Sequence, residues 1–360
     1  MFPQCGYCQA GQITQAATLL KETLTAQICS RLLEGSVLTI DNDVDLAIVG
    51  GHHQRRALGG SIGFVGLGRM GSAMAANLAV GGCRVIAYLR RPDRAAEIRA
   101  LGVEPKFSIA DLFDCDFVIS MLPDDGAVRE AVSGKPGEAG LAAGLKPNAV
   151  HLSMSTISTA AAGEFAEEHE KHGQCYVAAP VFGNPDAAQA RELFIIAAGA
   201  GDPLERCRPL FELLGQRTFV IGSGPESANL VKLVGNAMMA ATLEMLGEAF
   251  ALVRKRSLDP AAVLDILTST MFGSRIHKIY GAKIVAQRFV PSGFMLPLAL
   301  KDVCLALAEA EAANVPMPSV CVVRDRMITG LAHGYSEFDW SALGLVAAEA
   351  AGIEDQADAE

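Results

Sequence analysis

Little in this 360-residue chain is charged: Asp, Glu, Lys and Arg together make up 19%. Positive charge is the scarcer sign, 30 Lys and Arg against 40 Asp and Glu, so the formal net charge is −10 and the pI about 5.3. An acidic surface repels phosphate backbones, which argues against a nucleic-acid partner. No uninterrupted apolar run of about 18 residues is present, which argues against a membrane span. No basic stretch followed by an apolar core opens the chain, so no secretory signal is evident. The nine cysteines (Cys5, Cys8, Cys29, Cys83, Cys115, Cys175, Cys207, Cys304 and Cys321) form an odd, dispersed set. That pattern excludes a disulfide framework and reads as reduced, mostly buried thiols in the cytoplasm. What is abundant is apolar: 51% of residues, with a mean hydropathy of +0.29. A chain of this length and composition can fill two ordered cores.

Three zones follow one another. Residues 1–60 contain Cys5-x-x-Cys8 and a helix-like run, and resemble half of a [2Fe–2S]-binding motif of molybdenum hydroxylase small subunits. Such a cluster needs four thiolates, and only Cys29 follows within the zone, so it reads as an incomplete, poorly ordered extension without a metal. Residues 61–223 alternate short apolar strands (62–66, 84–88, 116–121, 149–153, 175–179, 193–199, 218–222) with helical patterns. That alternation predicts an α/β domain with a mostly parallel, doubly wound sheet. Residues 224–352 predict an all-helical domain. It opens with a long amphipathic run from Glu226 to Arg256, and Asp259 and Pro260 sit as N-cap and first residue of the next helix. An acidic tail, 353–360, closes the chain.

The most specific segment is Gly66-Leu67-Gly68-Arg69-Met70-Gly71, which follows a strand directly and opens a helix. The first glycine suits a tight turn, the second admits a pyrophosphate to the backbone, and the third lets helix and sheet pack closely. The helix N-terminus then faces the phosphates. At the end of the second strand the chain reads Tyr88-Leu89-Arg90-Arg91-Pro92, with no acid before Asp93. Arg90 and Arg91 suit a 2′-phosphate, so NADPH (NADP) is expected in preference to NADH.

Six stretches together resemble the β-hydroxyacid dehydrogenase family, whose members include 3-hydroxyisobutyrate dehydrogenase and glyoxylate/succinic semialdehyde reductase and which is 6-phosphogluconate dehydrogenase-like. They are GFVGLGRMG (63–71), SMLPDD (120–125), SMSTIS (153–158), AAPVFGN (178–184), GPESANLVKLVGN (224–236) and LALKDVCLAL (298–307), and the resemblance spans about residues 61–350. It implies a Rossmann domain followed by a helical substrate and dimerisation domain. It further implies that Met121, Leu122 and Pro123 border the cofactor, that Ser155, Thr156, Phe182 and Gly183 border the substrate, and that Lys301 lies near the nicotinamide end of both. Lys232 is the implied general acid, with Asn236 as its partner.

Elementary chemistry agrees on Lys232. An ammonium is costly to bury in so apolar a helix unless its charge is used. Carbonyl reduction leaves negative charge on oxygen, and an ammonium within reach neutralises it and supplies the proton. Asn229, Lys232 and Asn236 share one helix face. The bland alternative is a lysine that snorkels from a packed helix. Ser155 and Thr156 follow a strand, where hydroxyls and turn amides can bind a carboxylate or cap a helix. The family's usual Ser-Gly-Gly is replaced by Phe182-Gly183-Asn184. Phe182 removes a donor and adds apolar bulk, which implies a larger or less polar carbonyl. The expected activity is hydride transfer between nicotinamide and a β-hydroxy acid/semialdehyde pair or a related small carbonyl. Imine reduction, a non-catalytic NADP-binding module, and electron transfer through the N-terminal cysteines are the competing readings. A homodimer or higher homo-oligomer is expected by family analogy.

Overall fold

The structure is a computed structural model and describes residues 60–353. The expected extension up to residue 59, with Cys5, Cys8 and Cys29, and the tail from residue 354 lie outside the described residues.

Within the first domain the strands are β1 (Ser61–Val65), β2 (Arg84–Tyr88), β3 (Glu104–Lys106), β4 (Phe117–Ser120), β5 (Val150–Ser153), β6 (Cys175–Ala178), β7 (Val181–Phe182), β8 (Leu193–Gly199) and β9 (Gly215–Gly222). Strands β1 to β6 lie in the order 3-2-1-4-5-6 and pair in parallel. β8 continues the sheet antiparallel to β6 and β7, and β9 pairs in parallel with β8. The order reverses between β1 and β4, and the carboxyl ends of such strands frame a ligand crevice.

Alternation of side chains along the strands fills two cores. Ile62, Phe64, Ile119, Val150, Leu152 and Val177 meet helices α1 (Arg69–Val80) and, later in the chain, Gly201–Leu214 through Met74, Leu78, Leu210 and Phe211. On the opposite face Val65, Ile86 and Val118 pack with Leu112, Ala131 and Leu141, while Tyr176 and Ala178 pack with Val128, Ala161 and Phe165. The helices behind that face are α3 (Asp125–Ser133) and α5 (Thr159–Lys171), with the short α4 (Leu141–Gly144) beside them, whereas the short α2 (Ala95–Ala100) packs on the α1 side through Ala95 and Ile98. Ser158, rather than Ser155 or Thr156, caps α5, its hydroxyl accepting from the Ala161 N–H. Its own N–H and hydroxyl in turn donate to the Asp125 carboxylate at 2.9 and 2.6 Å. Two short strands, β3 and β7, were not expected from sequence; at three and two residues they carry too little pattern.

After α6 (Pro185–Gln189) and α7 (Gly201–Leu214), helix α8 (Glu226–Lys255) leads into the helical domain. Its first turns still belong to the sheet: Ala228 packs with Ile157, Ala161 and Ala178. From Leu233 onward it is the centre of a helical core with α11 (Leu296–Ala312), α12 (Pro318–Ala332) and α13 (Leu343–Ala350). The Asp259 side chain caps α9 (Pro260–Ser269) as expected. Helix α10 (Arg275–Val285) was not expected. Gly281 interrupts its pattern because the helix packs tightly there; a Cβ would stand 2.6 Å from Leu264 Cδ1. Among the described residues α8 alone is long and apolar enough to cross a membrane. Half of that window is buried in the fold, and its buried face carries Asn229, Lys232, Asn236 and Glu244, which marks it as a core helix.

Candidate active site

A cleft of about 840 Å3 opens at the carboxyl ends of β1, β2 and β4. Val65 to Gly71, Tyr88 to Arg91, Met121 to Pro123, Thr156, Phe294, Met295, Leu298, Lys301 and Asp302 line it. All the residues expected to hold a dinucleotide are therefore brought together. The three glycines behave differently, as their positions require. Gly66 has φ +100, and a Cβ there would stand 2.3 Å from the Met121 carbonyl oxygen. At Gly71 a Cβ would stand 2.0 Å from the Gly66 carbonyl oxygen, so helix and loop meet without room for a side chain. Nothing lies within 4 Å of a Cβ at Gly68, whose backbone faces open space at the N-terminus of α1. That open backbone, with no side chain capping the helix, fits a pyrophosphate.

Arg90 and Arg91 are exposed on the rim just past β2. Arg94 joins them: it pairs with Glu97 and donates 2.6 Å to the Leu67 carbonyl, bracing the glycine loop. Arg69 donates to the Ser292 carbonyl, which ties the loop to the segment that enters α11. That segment is held by the buried Asp339 carboxylate, which accepts from the N–H groups of Gly293 (2.9 Å) and Phe294 (3.3 Å) and from Lys283 (2.7 Å).

Lys232 is 7% exposed and lies on the inner face of α8. Its Nζ donates to Asn236 Oδ1 at 2.8 Å, and Asn236 Nδ2 passes the contact on to Asp302 Oδ2. Lys301 Nζ stands 2.9 Å from Asp302 Oδ1 as an ion pair and also donates to the Thr156 carbonyl. Lys232, Asn236 and Phe182 do not themselves line the cleft; Asp302, which does, joins Lys232 and Asn236 to Lys301 and to the cleft wall. Burial pushes the Lys232 pKa down to about 8, the Asp302 carboxylate opposing and the Lys301 ammonium adding to the drop. The Phe182 ring centroid lies 4.4 Å from Nζ, and the ring packs where Gly235 offers no side chain: a Cβ would stand 2.3 Å from it. Both amide atoms of Asn229, on the same helix face, are buried without a partner among the described residues.

The other substrate candidates are placed less directly. Ser155 is fully buried; its hydroxyl accepts the Leu122 N–H at 2.8 Å and donates to the Ser120 carbonyl at 3.3 Å, and it does not line the cleft. Gly183, with φ +145, follows Phe182 at the end of β7, and a Cβ there would stand 2.6 Å from Leu193 Cδ2. Asp302, Arg94 and the Phe294–Met295 segment are the site residues that sequence reasoning did not single out. An acid beside Lys301 on an apolar helix was the one available signal. No group of His, Cys, Asp or Glu among the described residues is arranged to hold a metal ion.

A glycine-loop crevice on a 3-2-1-4-5-6 sheet, beside a helical domain that holds a buried lysine behind the crevice wall, defines a nicotinamide-dinucleotide oxidoreductase. Comparison with known proteins gives the family. Residues 61–222 match the NAD-binding domain of 6-phosphogluconate dehydrogenase, and residues 227–347 match the NAD-binding domain of NADP-dependent 3-hydroxyisobutyrate dehydrogenase. The chain belongs to the 3-hydroxyisobutyrate (β-hydroxyacid) dehydrogenase family of NAD(P)-dependent oxidoreductases. It is 35% identical over 286 residues to the uncharacterized oxidoreductase YfjR of Bacillus subtilis, covering 78% of this chain and 98% of the relative. It is 32% identical to 2-hydroxy-3-oxopropionate reductase of Escherichia coli, covering 78% and 95%. Among solved structures, 3-hydroxyisobutyrate dehydrogenase of Mycobacterium tuberculosis with L-serine matches with a TM-score of 0.72 at 27% identity, covering 79% and 98%.

Proposed function

We propose that the chain is an NADPH-dependent reductase that interconverts a β-hydroxy acid and its semialdehyde, or a related small carbonyl and its alcohol, with Lys232 as the general acid and base. The observation that carries this reading is the buried Lys232 ammonium, hydrogen-bonded to Asn236 and linked through Asp302 to the cleft. Gly66 to Gly71 and Met121 to Pro123 would hold the dinucleotide, and Arg90 and Arg91 its 2′-phosphate. Bound there, the reduced nicotinamide supplies a hydride to the carbonyl carbon. The C=O electron pair moves onto oxygen, and Lys232 gives that oxygen a proton. Asn236 orients the amine, and Asp302 fixes Asn236. The free amide of Asn229 offers a donor and an acceptor to the substrate. In the reverse direction the neutral amine takes the alcohol proton. A pKa of about 8 leaves both forms populated near neutrality, which suits a group that must donate and recover a proton.

The Phe182 ring against the amine favours carbonyls larger or less polar than glyoxylate. The substrate class is read from a panel of glyoxylate, succinic semialdehyde, methylmalonate semialdehyde and an uncharged aldehyde, with a cyclic imine to register imine reduction. Six described cysteines, all free, accord with a reducing compartment such as the cytoplasm. The mechanism is tested with Lys232→Ala. Turnover should fall by about 10²- to 10⁴-fold while NADPH binding stays within about threefold of wild type. Full activity in that variant would remove Lys232 from the chemistry.

A further inference from the structure

A buried polar chain beneath the sheet has a direction that its geometry and its burial together fix. Gln174 Nε2 lies 2.9 Å from the Ala142 carbonyl and 2.7 Å from the Leu145 carbonyl, which uses both of its N–H groups. Gln174 Oε1 therefore accepts, and its partner at 2.6 Å, His169 Nδ1, carries a proton. In a neutral ring His169 Nε2 is then an acceptor, so the His151 Nδ1 atom 2.8 Å away is protonated as well. His151 Nε2 accepts in turn from the Ser120 hydroxyl at 2.9 Å. A cationic His169 would reverse the last two bonds, but both rings are wholly buried and, among the described residues, no carboxylate is hydrogen-bonded to either. Burial holds the pKa of each below the usual histidine range, the neighbouring ring adding to the effect on His151.

Ser120 ends β4, and the cofactor loop starts at the next residue. Its carbonyl accepts from the Ser155 hydroxyl, which itself accepts the Leu122 N–H. The chain thus runs Gln174, His169, His151, Ser120, Ser155 and the Leu122 N–H, and the side chains from Gln174 to Ser155 are buried. Water cannot replace a lost partner there, so each bond is held by its neighbours. We propose that His151 and His169, as a pair of neutral imidazoles both protonated on Nδ1, are positioning residues that fix Ser120 and through it the 121–123 wall of the dinucleotide cleft. The proposal rests on the reading of that cleft as the cofactor site, and it assigns no proton transfer to either ring.

The test has two arms on the full chain. NMR of protein labelled with 15N-histidine should show two imidazoles in the Nδ1–H form whose shifts stay constant from about pH 5.5 to about pH 8. Finding both as Nε2–H tautomers, or titrating in that window, would overturn the assignment. In kinetics, His151→Asn keeps a group near Nδ1 but cannot reach Ser120, whereas His151→Gln places its amide near the Nε2 position. The first should raise the KM and Kd for NADPH about fivefold, with kcat at saturating NADPH changing less, and the second should recover most of the loss. Ser120→Ala, which removes one oxygen and keeps the strand, should match His151→Asn and serves if the latter does not fold. Unchanged NADPH affinity in folded Ser120→Ala and His151→Asn would reduce the pair to a packing feature. A wild-type protein that binds neither NADPH nor NADH would instead sink the reading of the cleft, and the tautomer result would stand apart from it.

Discussion

At the scale of single residues, the cations proposed for cofactor choice and for catalysis stand in opposite settings. Arg90 and Arg91 are exposed on the cleft rim, just past the end of β2. Replacing both by alanine should leave stability unchanged and raise the NADPH KM about tenfold or more, with NADH much less affected. Equal effects on the two cofactors would argue against a 2′-phosphate at the rim. Lys232 is the opposite case, a cation whose surroundings are all internal: Asn236, the Phe182 ring and, one step further, Asp302. The sequence made Lys232, Asn229 and Asn236 legible because three polar residues fall on one face of an apolar helix. It could not reveal that Ser155 is taken up by Leu122 and Ser120, since a hydroxyl after a strand suits a substrate contact and a loop clamp equally well.

At the scale of elements, the glycine loop gives a contrast between two similar substitutions. A Cβ at Gly71 would meet backbone, which cannot move aside, so Gly71→Ala should lower stability as well as cofactor binding. A Cβ at Gly68 meets no protein atom, so Gly68→Ala should keep the wild-type Tm within a few degrees and weaken NADPH binding about tenfold or more. Thermal unfolding with and without NADPH separates the two outcomes; equal loss of Tm in both would mean that Gly68 is structural. Strands of five or so residues and helices with a clear apolar face are legible in the sequence, because each buries a continuous pattern. β3, β7 and α10 were not, being either too short to show a period or interrupted by a glycine that serves helix packing. Ser158 as the cap of α5 depends on Asp125, 33 residues away in sequence, and no local pattern records that contact.

At the scale of the whole molecule, α8 joins the two functions of the fold. One face carries Lys232 towards the site, and the other exposes Leu230, Val234, Met238, Met245 and Leu252. These fall four or seven residues apart and form a single apolar stripe along a helix about 45 Å long. We propose that a second copy of the chain covers it. Met238→Glu should then convert a dimer or larger species to monomer in analytical ultracentrifugation, and a wild type that sediments as a monomer at micromolar concentration would contradict this. The central claim concerns Lys232, and the pH dependence of kcat/KM for NADPH-driven carbonyl reduction tests it most directly. The proton donor must be charged in the free enzyme. The rate should therefore be level at low pH and fall about tenfold per unit above about pH 8, and the break should vanish in Lys232→Ala. A wild-type profile that is flat from about pH 6 to about pH 10, or the same break in the alanine variant, would contradict the account.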